Sequence, residues 1–451
     1  MAQKFLNFIK NLSPMKIIIL GYCLIILLGS VLLSLPISLK EGSEPSFLTS
    51  FFTSTSATCV PGLIRADTFT NWSYFGQAVI LILIQIGGIG FMTICISALT
   101  VVGKNIGFAQ RSLMQNSISA PQIGGIVKIT KFIMLGTAII EVTGAILLSF
   151  YFCPLLGIGK GIWYSVFHSI SAFCNAGFDL MGFRGECSSL TTLVSNVYVN
   201  LVLCSLIIIG GLGFFVWKNI LDSKFKFKKM NLHAKLVIVV SITLVVFGTL
   251  VLFIFGFNSD AYNGLSVPEK VLASFFQSVS TRTAGFNTVD LAKINEASKF
   301  LMICLMLVGG SPGSTAGGMK TTTFAVLILS VVTTFRHRKS IEAFGRRFEE
   351  GMTRTVTCIF ILYLFFACSA TVIISHIENI PFIDALFETI SAIATVGLTV
   401  GITSSLSTIS CLILCFLMFF GRVGSITMLL AFSSTKNKKI SSLPLEKVQV
   451  G

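Results

Sequence analysis

Long apolar runs separated by short polar segments make up most of this chain. The runs at 15–37, 126–152, 234–257 and 354–376 are long enough to cross a bilayer, which takes about 20 predominantly apolar residues. The first run has no small-residue cleavage signature, so we expect a retained helix rather than a signal peptide. The pattern predicts an all-α polytopic membrane protein with essentially no soluble domain.

The same order of elements recurs four times: a span, an apolar piece too short to span, an irregular motif and a returning span. The short pieces cover residues 46–57, 163–172, 268–280 and 381–391. The returning spans cover residues 74–102, 193–217, 299–335 and 405–430. The sequence thus predicts eight spanning helices and four half-helices in the units 15–103, 126–222, 232–335 and 351–432, followed by a cytoplasmic tail, 433–451.

Each short piece leads into a motif built around one glycine. The motif residues are Thr58, Cys59, Val60, Pro61 and Gly62; Cys174, Asn175, Ala176 and Gly177; Arg282, Thr283, Ala284 and Gly285; and Ala394, Thr395, Val396 and Gly397. Successive glycines are 115, 108 and 112 residues apart. That period is too long for a solenoid. It fits four copies of a membrane unit that meet around one axis.

The four motifs are candidates for a cation filter. Irregular backbone at membrane depth is tolerated where it lines a water-filled path or is buried in protein. Potassium filters use such backbone, because its carbonyls replace the hydration shell of the ion. Glycine reaches the required angles at low cost, and the half-helices direct their negative ends at the path. The alternative is that each glycine is an ordinary helix C-cap.

A second irregular segment interrupts the seventh span. It consists of Gly309, Gly310, Ser311, Pro312, Gly313, Ser314, Thr315, Ala316, Gly317 and Gly318. Five glycines and a proline in ten residues cannot hold a regular helix. We expect the segment to face the conduction path and to act as a gate. The alternative is a notch of small residues that packs against another helix.

Four charged residues lie at membrane depth, where charges are costly and usually functional. Arg282 is expected to point behind its motif toward an acid or carbonyls, unless it is a loop residue at the mouth. Arg422 is expected to face the cavity below the filter and to contact the gate. Lys320 either belongs to the gate or snorkels out of the membrane. Glu141 either pairs with a neighbour or lies at a helix interface.

The formal net charge of +15 does not indicate nucleic-acid binding, because most of the basic residues cluster in segments expected on one side of the membrane. They concentrate in the N-terminal segment, 104–131, 218–235, 336–354 and the tail. The positive-inside rule therefore predicts cytoplasmic N- and C-termini. The twelve cysteines and four histidines show no paired or metal-ligand spacing. No cofactor and no disulfide framework are expected.

Together these features resemble the Trk/Ktr/HKT superfamily of potassium transporters. The resemblance rests on the four motifs, on Gly-Gly-Ser-Pro-Gly-Ser-Thr-Ala-Gly-Gly-Met-Lys at 309–320 and on Gly-Arg-Val-Gly at 421–424. Length and the absence of extra N-terminal helices look most like the Ktr membrane subunit, the KtrB/KtrD type. The resemblance implies four covalently linked M1-P-M2 units around one central pore, a gating loop at 309–318 and a regulatory arginine at Arg422. Pro61 departs from the family pattern, which puts the K⁺/Na⁺ discrimination of this motif in question.

The resemblance also implies partners and a location. Members of this type are homodimers in the bacterial plasma membrane, seated on a cytosolic RCK ring of the KtrA/KtrC type. That ring binds ATP, ADP and, in many bacteria, cyclic di-AMP. The transported ion would be K⁺, with Na⁺ as a second transported or stimulating ion. Nucleotide sites are expected on the partner, because this chain lacks G-x-x-x-x-G-K-[ST].

Two other classes of function compete with a potassium pore. An alternating-access transporter of a small solute also uses broken helices and internal repeats, but its repeats are usually two and often inverted. A membrane enzyme would need a nucleophile–base pair, a metal cluster or an intramembrane acid pair, and the sequence offers none. The sequence therefore favours a membrane-potential-driven potassium uptake protein that is not an enzyme.

Overall fold

The computed structural model describes residues 13–91, 93, 94, 115, 125–338, 340–432 and 446, and this part of the chain is mostly helical. The end of the first predicted unit, 95–103, lies outside the described residues. So does the predicted tail, 433–451, apart from Glu446.

The described residues of the first half of the chain form eight α-helices, in two series. The first series is α1 (Pro14–Leu33), α2 (Phe47–Cys59), α3 (Thr68–Asn71) and α4 (Tyr74–Ile89). The second is α5 (Ile126–Leu156), α6 (Ile158–Phe173), α7 (Val197–Leu212) and α8 (Phe214–Asp222).

The second half repeats this order. The third series is α9 (Leu232–Gly256), α10 (Val267–Ser280), α11 (Glu296–Met306) and α12 (Thr321–Phe335). A small antiparallel hairpin, β1 (Glu342–Ala343) and β2 (Arg346–Arg347), precedes the fourth series. That series is α13 (Met352–Glu378), α14 (Phe382–Ile393), α15 (Thr408–Val423) and α16 (Ser425–Phe432).

Prolines and caps start the two later short helices. Ser266 precedes α10 in a capping box with Glu269, and Pro268 lies in the first turn, as predicted. Pro381 is the N-cap of α14 instead of a first-turn residue, so that prediction was wrong by one position. In both cases the proline lacks an N–H that the helix start would leave unpaired.

Each long helix packs against the short helix that follows it. Hydroxyls on the short helices reinforce three of these contacts by donating to long-helix carbonyls. The bonds are Ser54 to Ile26 O at 2.7 Å, Ser169 to Glu141 O at 2.7 Å and Ser278 to Val245 O at 2.8 Å. In the fourth series, Thr389 and Thr371 share a hydroxyl–hydroxyl bond of 2.6 Å. These polar contacts join helices that the hydrophobic effect alone would not hold together in lipid.

The four series close into a ring. The helix that returns from each motif contacts the short helix of the next series: α4 with α6, α7 with α10, α11 with α14, and α15 with α2. The last of these contacts connects the end of the described chain to its beginning. The aromatic residues that precede the motifs, Phe52, Phe167, Phe276 and Phe387, are all fully buried.

Eight spanning helices, the seventh of them interrupted, were expected, and within the described residues not every span is a single continuous helix. Four helices, α1, α5, α9 and α13, are long and apolar enough to cross a membrane alone. The returning helices are interrupted: α4 ends at Gly90, α7 and α8 meet at Gly213 with a 90° bend, and α15 ends at Gly424. The φ values of these glycines lie between +90° and +97°, which an α-helix cannot contain. The predicted break between α11 and α12 is present.

The outer faces of the long helices expose large apolar side chains. Examples are Ile139 on α5, Ile254 on α9 and Phe365 on α13, all more than half exposed. Such continuous apolar surface is unsuited to water and suits the hydrocarbon core of a bilayer.

Gly210→Ala should destabilise the fold, because a Cβ there would overlap the carbonyl oxygen of Phe173 at the end of α6. We expect a loss of about 1–3 kcal/mol, the usual cost of overpacking, measured as a lower thermal unfolding midpoint in detergent. Gly159→Ala on α6 is the matched control, since a Cβ at that position would have no atom within 4 Å. Equal midpoints for the two variants would contradict the tight α6–α7 contact.

Candidate functional site

Each short helix leads into a motif whose backbone enters the left-handed region twice. The two positions are the glycine and the residue two before it: Val60 and Gly62, Asn175 and Gly177, Thr283 and Gly285, Thr395 and Gly397, with φ from +53° to +96°. Positive φ at a non-glycine residue costs of order 1–3 kcal/mol. Such a conformation persists only where the surrounding structure holds it, and it recurs here at the same place four times.

The four glycines meet in a closed ring. A Cβ on Gly62 would lie closer than 3.0 Å to the carbonyl oxygen of Ala176, the residue before Gly177. The same relation holds around the circle: Gly177 faces Ala284 O, Gly285 faces Val396 O and Gly397 faces Pro61 O. No side chain fits at these positions. The ring therefore brings together four glycines and four backbone carbonyls, the kind of oxygen that can replace the hydration shell of a cation.

A serine four residues after each buried aromatic fastens the motif to its short helix. Ser56 and Ser391 accept from the amides of Gly62 and Gly397, at 3.2 and 3.0 Å. Ser171 donates to Phe178 O at 2.6 Å, and Ser280 donates to Phe286 O. The Ser-rich turns in the sequence thus satisfy backbone groups that the irregular motif leaves unpaired.

The residue directly after the aromatic supports the segment beyond the glycine in two motifs. Glu388 on α14 is fully buried and accepts from Val400 N at 3.1 Å, from Thr403 Oγ1 at 2.8 Å and from Thr399 Oγ1. His168 occupies the equivalent place on α6, and its Nε2 accepts from Leu180 N at 3.4 Å. Leu180 and Val400 each lie three residues after a motif glycine.

All four motif glycines line one cavity of about 140 Å³, which we call the vestibule. Thr399, Val400 and Thr403, the residues that Glu388 holds, also line it. Asp179, two residues after Gly177, contributes a carboxyl that accepts from Met181 N at 2.9 Å. Burial raises the pKa of Asp179 to about 7. Asp290 also lines the vestibule, which therefore combines carbonyls, hydroxyls and carboxyl groups.

The segment between α11 and α12 crosses to the second and fourth motifs. Its backbone is tied to the α7–α8 bend by Ser311 N to Gly211 O at 3.0 Å and by Phe214 N to Gly313 O at 2.7 Å. The hydroxyl of Thr315 donates to Phe173 O at 3.0 Å, at the end of α6. Farther along the segment, the Cα atoms of Gly317 and Gly318 come so close to Thr395 and Ala394 that neither could carry a Cβ.

Arg422 fastens this segment to the first series. Its guanidinium donates to Thr315 O and to the carbonyls of Gly87 and Gly88, the last at 3.0 Å. Arg422 also lines a cavity of about 230 Å³, the lower cavity, together with Gly313, Ala316 and Lys320. The expectation that Arg422 contacts both a cavity and the interrupted segment agrees with this geometry.

The other deep charges also have partners. Lys320 donates to Ala316 O at 2.7 Å and Gly317 O at 3.3 Å, so it folds back on the segment and does not snorkel. Arg282 points behind its motif and donates to Gly309 O at 3.2 Å and Ser241 O at 3.5 Å. Within the described residues neither cation has an ion pair with an acid. Backbone carbonyls satisfy both.

Glu141 lies behind the second motif. Its carboxylate accepts from Gln85 Nε2 at 2.9 Å and from Cys174 Sγ at 3.8 Å, so it joins α5 to α4 and to a motif residue. Both alternatives left by the sequence are therefore present, because Glu141 bonds to a neighbour and lies at a helix interface. Among the described residues as a whole, no group of three or more His, Cys, Asp or Glu residues is arranged to hold a metal ion.

Sequence reasoning overlooked two features of the site. The support from Glu388 was missed because this residue lies outside the motifs, although it directly follows one of the four aromatics. The glycine breaks at Gly90, Gly213 and Gly424 were also missed. Their signal is a recurring pattern: Gly-Gly-Ile-Gly at 87–90, Gly-Gly-Leu-Gly at 210–213 and Gly-Arg-Val-Gly at 421–424.

Comparison with known proteins gives a consistent assignment. The potassium/sodium uptake protein NtpJ of Enterococcus hirae is 37% identical over 448 residues, which are 98% of this chain and 98% of that protein. The Ktr system potassium uptake protein B of Bacillus subtilis is 38% identical over 435 residues, 95% of each chain. These relatives are uptake proteins by description, which confirms the expectation of a transporter instead of an enzyme.

The fold has a solved counterpart. The crystal structure of the potassium transporter TrkH from Vibrio parahaemolyticus matches with a TM-score of 0.69 at 19% identity, covering 92% of this chain and 85% of that one. The family model described as "TrkH: Cation transport protein" matches residues 23–442. By these matches the chain belongs to the TrkH family of cation transport proteins.

Proposed function

We propose that this chain is the ion-translocating membrane subunit of a potassium uptake system, driven by the membrane potential. The observation that carries the proposal is the closed ring of Gly62, Gly177, Gly285 and Gly397 with the carbonyls that precede them. The four series of helices are four M1-P-M2 repeats, with boundaries near 15–103, 126–222, 232–335 and 351–432. Full-length similarity to proteins described as potassium uptake proteins supports K⁺ as the ion.

In this proposal the motifs form the selectivity filter, and K⁺ enters from the vestibule. Carbonyls of Pro61, Ala176, Ala284 and Val396 belong to the ring that receives the ion. The name of one relative includes sodium, so Na⁺ is the second ion of interest, transported or stimulating. A ring made from four motifs also favours a pore over an alternating-access solute transporter, whose repeats are usually two.

The segment Gly309–Gly318 is the gate, held closed by Arg422 and Lys320. It lies against Thr395 and Ala394 of the fourth motif, and two cations beside the lower cavity disfavour a permeating cation by Coulomb repulsion. Arg422 joins the gate to Gly87 and Gly88, so movement of α4 or α15 would release it.

Regulation would come from a cytosolic partner. Three relatives are described as parts of a Ktr system. We propose a homodimer in the bacterial plasma membrane, with both termini cytoplasmic, seated on an RCK ring that binds ATP, ADP or cyclic di-AMP. Basic segments at 218–235 and 336–354 support the orientation.

The direct test is uptake of K⁺, Rb⁺ and Na⁺ into proteoliposomes under an imposed potential, comparing the natural chain with Gly285→Ser. We expect K⁺-preferring flux from the natural chain. The serine should reduce K⁺ preference over Na⁺ about tenfold or more, because its Cβ meets Val396 O and Pro61 O at a φ of +82°.

Gly264→Ser is the control for that substitution, since Gly264 has a φ of +79° but a Cβ added there would have no atom within 4 Å. It should leave selectivity unchanged. Unaltered selectivity in Gly285→Ser would remove the filter assignment.

Deletion of Gly313–Gly317 should raise flux and reduce dependence on any cytosolic partner. Arg422→Ala should act in the same direction but less, because it removes only the bonds to Thr315 O, Gly87 O and Gly88 O. The measurement is Rb⁺ uptake with and without the partner. Lower flux at unchanged selectivity would make the segment structural and not a gate.

Glu388→Ala should lower K⁺/Na⁺ preference by about tenfold, the factor that corresponds to ~1.4 kcal/mol, because the vestibule wall at Thr399–Thr403 loses its support. Glu388→Gln should retain most of the preference, since its amide oxygen still accepts from Val400 N. Glu378→Ala is matched: Glu378 also accepts one amide and two hydroxyl bonds, at Ser407 and Ser410, but away from the vestibule. Equal selectivity in the two alanine variants would refute the role of Glu388.

A further inference from the structure

An apolar groove of about 470 Å³ runs between α9 and α12, outside the ion pathway. Leu236 and Val240 form one wall, and Phe324 and Ile328 form the other. Phe344, at the tip of the β1–β2 hairpin, closes one end. The groove is continuous with the apolar outer surface, because Val239 and Ile328 on its walls are 40% and 50% exposed.

The closed end of the groove has a rim of cations. Phe344 contacts Phe227 at a centroid distance of 6.2 Å, which brings the turn with Lys226, Lys228 and Lys229 beside the hairpin. These lysines are exposed, and so are Arg346 and Arg347 on β2, which pair with the groove-lining strand β1. Lys235 lies over the Phe227 ring at 5.8 Å.

Within the described part of this rim, acids neutralise few of the cations. Glu342 is the groove-lining acid, and Arg338 pairs with it at 3.8 Å. Lys235 bonds to a backbone carbonyl, that of Lys228, at 3.1 Å. No ion pair within the described residues involves Lys228, Arg346 or Arg347. The rim is therefore free to bind negative charge from outside the chain.

A ligand that occupies both the apolar groove and its basic rim must be amphiphilic. Water does not stably fill an apolar groove, which lacks the two to four polar partners that a bound water needs. In a bilayer, lipid hydrocarbon is available to fill the groove. The side chains that line a filled groove keep the dispersion contacts that they would lose in an empty one. The basic rim lies where α9 begins and α12 ends, at the level where head groups are found, and Lys or Arg there attract anionic lipids.

We propose that the groove and its rim bind one anionic phospholipid. An acyl chain lies between α9 and α12, and the phosphate contacts Lys228 and Arg346. Since α12 directly follows the 309–320 segment and α9 supports α10, this lipid contacts helices on both sides of the third motif. The site is independent of the proposed ion selectivity. A second copy of this chain is the alternative occupant that the experiment must separate.

The experiment measures lipid binding to the full chain in detergent by native mass spectrometry, with dioleoyl phosphatidylglycerol and dioleoyl phosphatidylcholine. We expect preferential binding of one phosphatidylglycerol. Lys228→Gln with Arg346→Gln should weaken that binding about 30-fold, roughly fivefold for each cation removed, without changing phosphatidylcholine binding. Lys16→Gln with Lys128→Gln is the control, because it removes the same charge from two exposed residues that do not line the groove.

A second pair of variants tests whether a large side chain in the groove displaces the lipid. Val239→Trp should displace the bound phosphatidylglycerol, whereas Leu250→Trp, at a lipid-facing position on the same helix outside the groove, should not. Phosphatidylglycerol retained by both the charge variant and Val239→Trp would overturn the proposal. So would loss of self-association in Val239→Trp with lipid retention unchanged, which would assign the groove to a second copy. Equal affinity for the two lipids would overturn the role of the rim. None of these outcomes depends on transport.

Discussion

The structure depends on one constraint: irregular backbone among apolar helices is stable only where its amides and carbonyls bond to protein groups or face a polar path. An unpaired amide or carbonyl in hydrocarbon costs several kcal/mol. The described residues include several irregular segments among apolar helices, the four motifs and the loop before α12 among them. In the four motif segments, backbone amides or carbonyls form hydrogen bonds with the hydroxyls of Ser56, Ser171, Ser280 and Ser391. In the loop before α12, backbone groups form hydrogen bonds with the α7–α8 bend and with three cationic side chains.

Bonds to backbone carbonyls explain how the deep cations are satisfied, although none of them has an ion pair with an acid within the described residues. Arg282, Lys320 and Arg422 each donate to carbonyls of the loop or of the glycine breaks. A cation has donors only, so it can satisfy several carbonyls that no amide reaches. Lys320 and Arg422 also line the lower cavity, so under the proposed function one set of contacts would serve both stability and gating.

The four series share a long helix, a short helix and a motif, but they differ in the side chains that support the motif. At the position after each aromatic, Glu388 and His168 support the segment beyond the glycine. The third series instead carries the long loop and the arginine. A chain of covalently joined units can vary each unit separately, which a ring of four identical subunits cannot. The presence of the long loop in the third series is a consequence of that freedom.

The sequence by itself determined the class of protein, the four motifs, the interrupted seventh span and the family. These features follow from local properties: apolar run length, glycine content and spacing along the chain. Only the tertiary structure decided which groups meet. Ring closure between Gly397 and Pro61 joins residues far apart in sequence, and no periodicity specifies it. The partners of Lys320, Glu141 and Glu388 depended on helix packing in the same way, because hydrogen bonds to a buried side chain form only once neighbouring elements are in place.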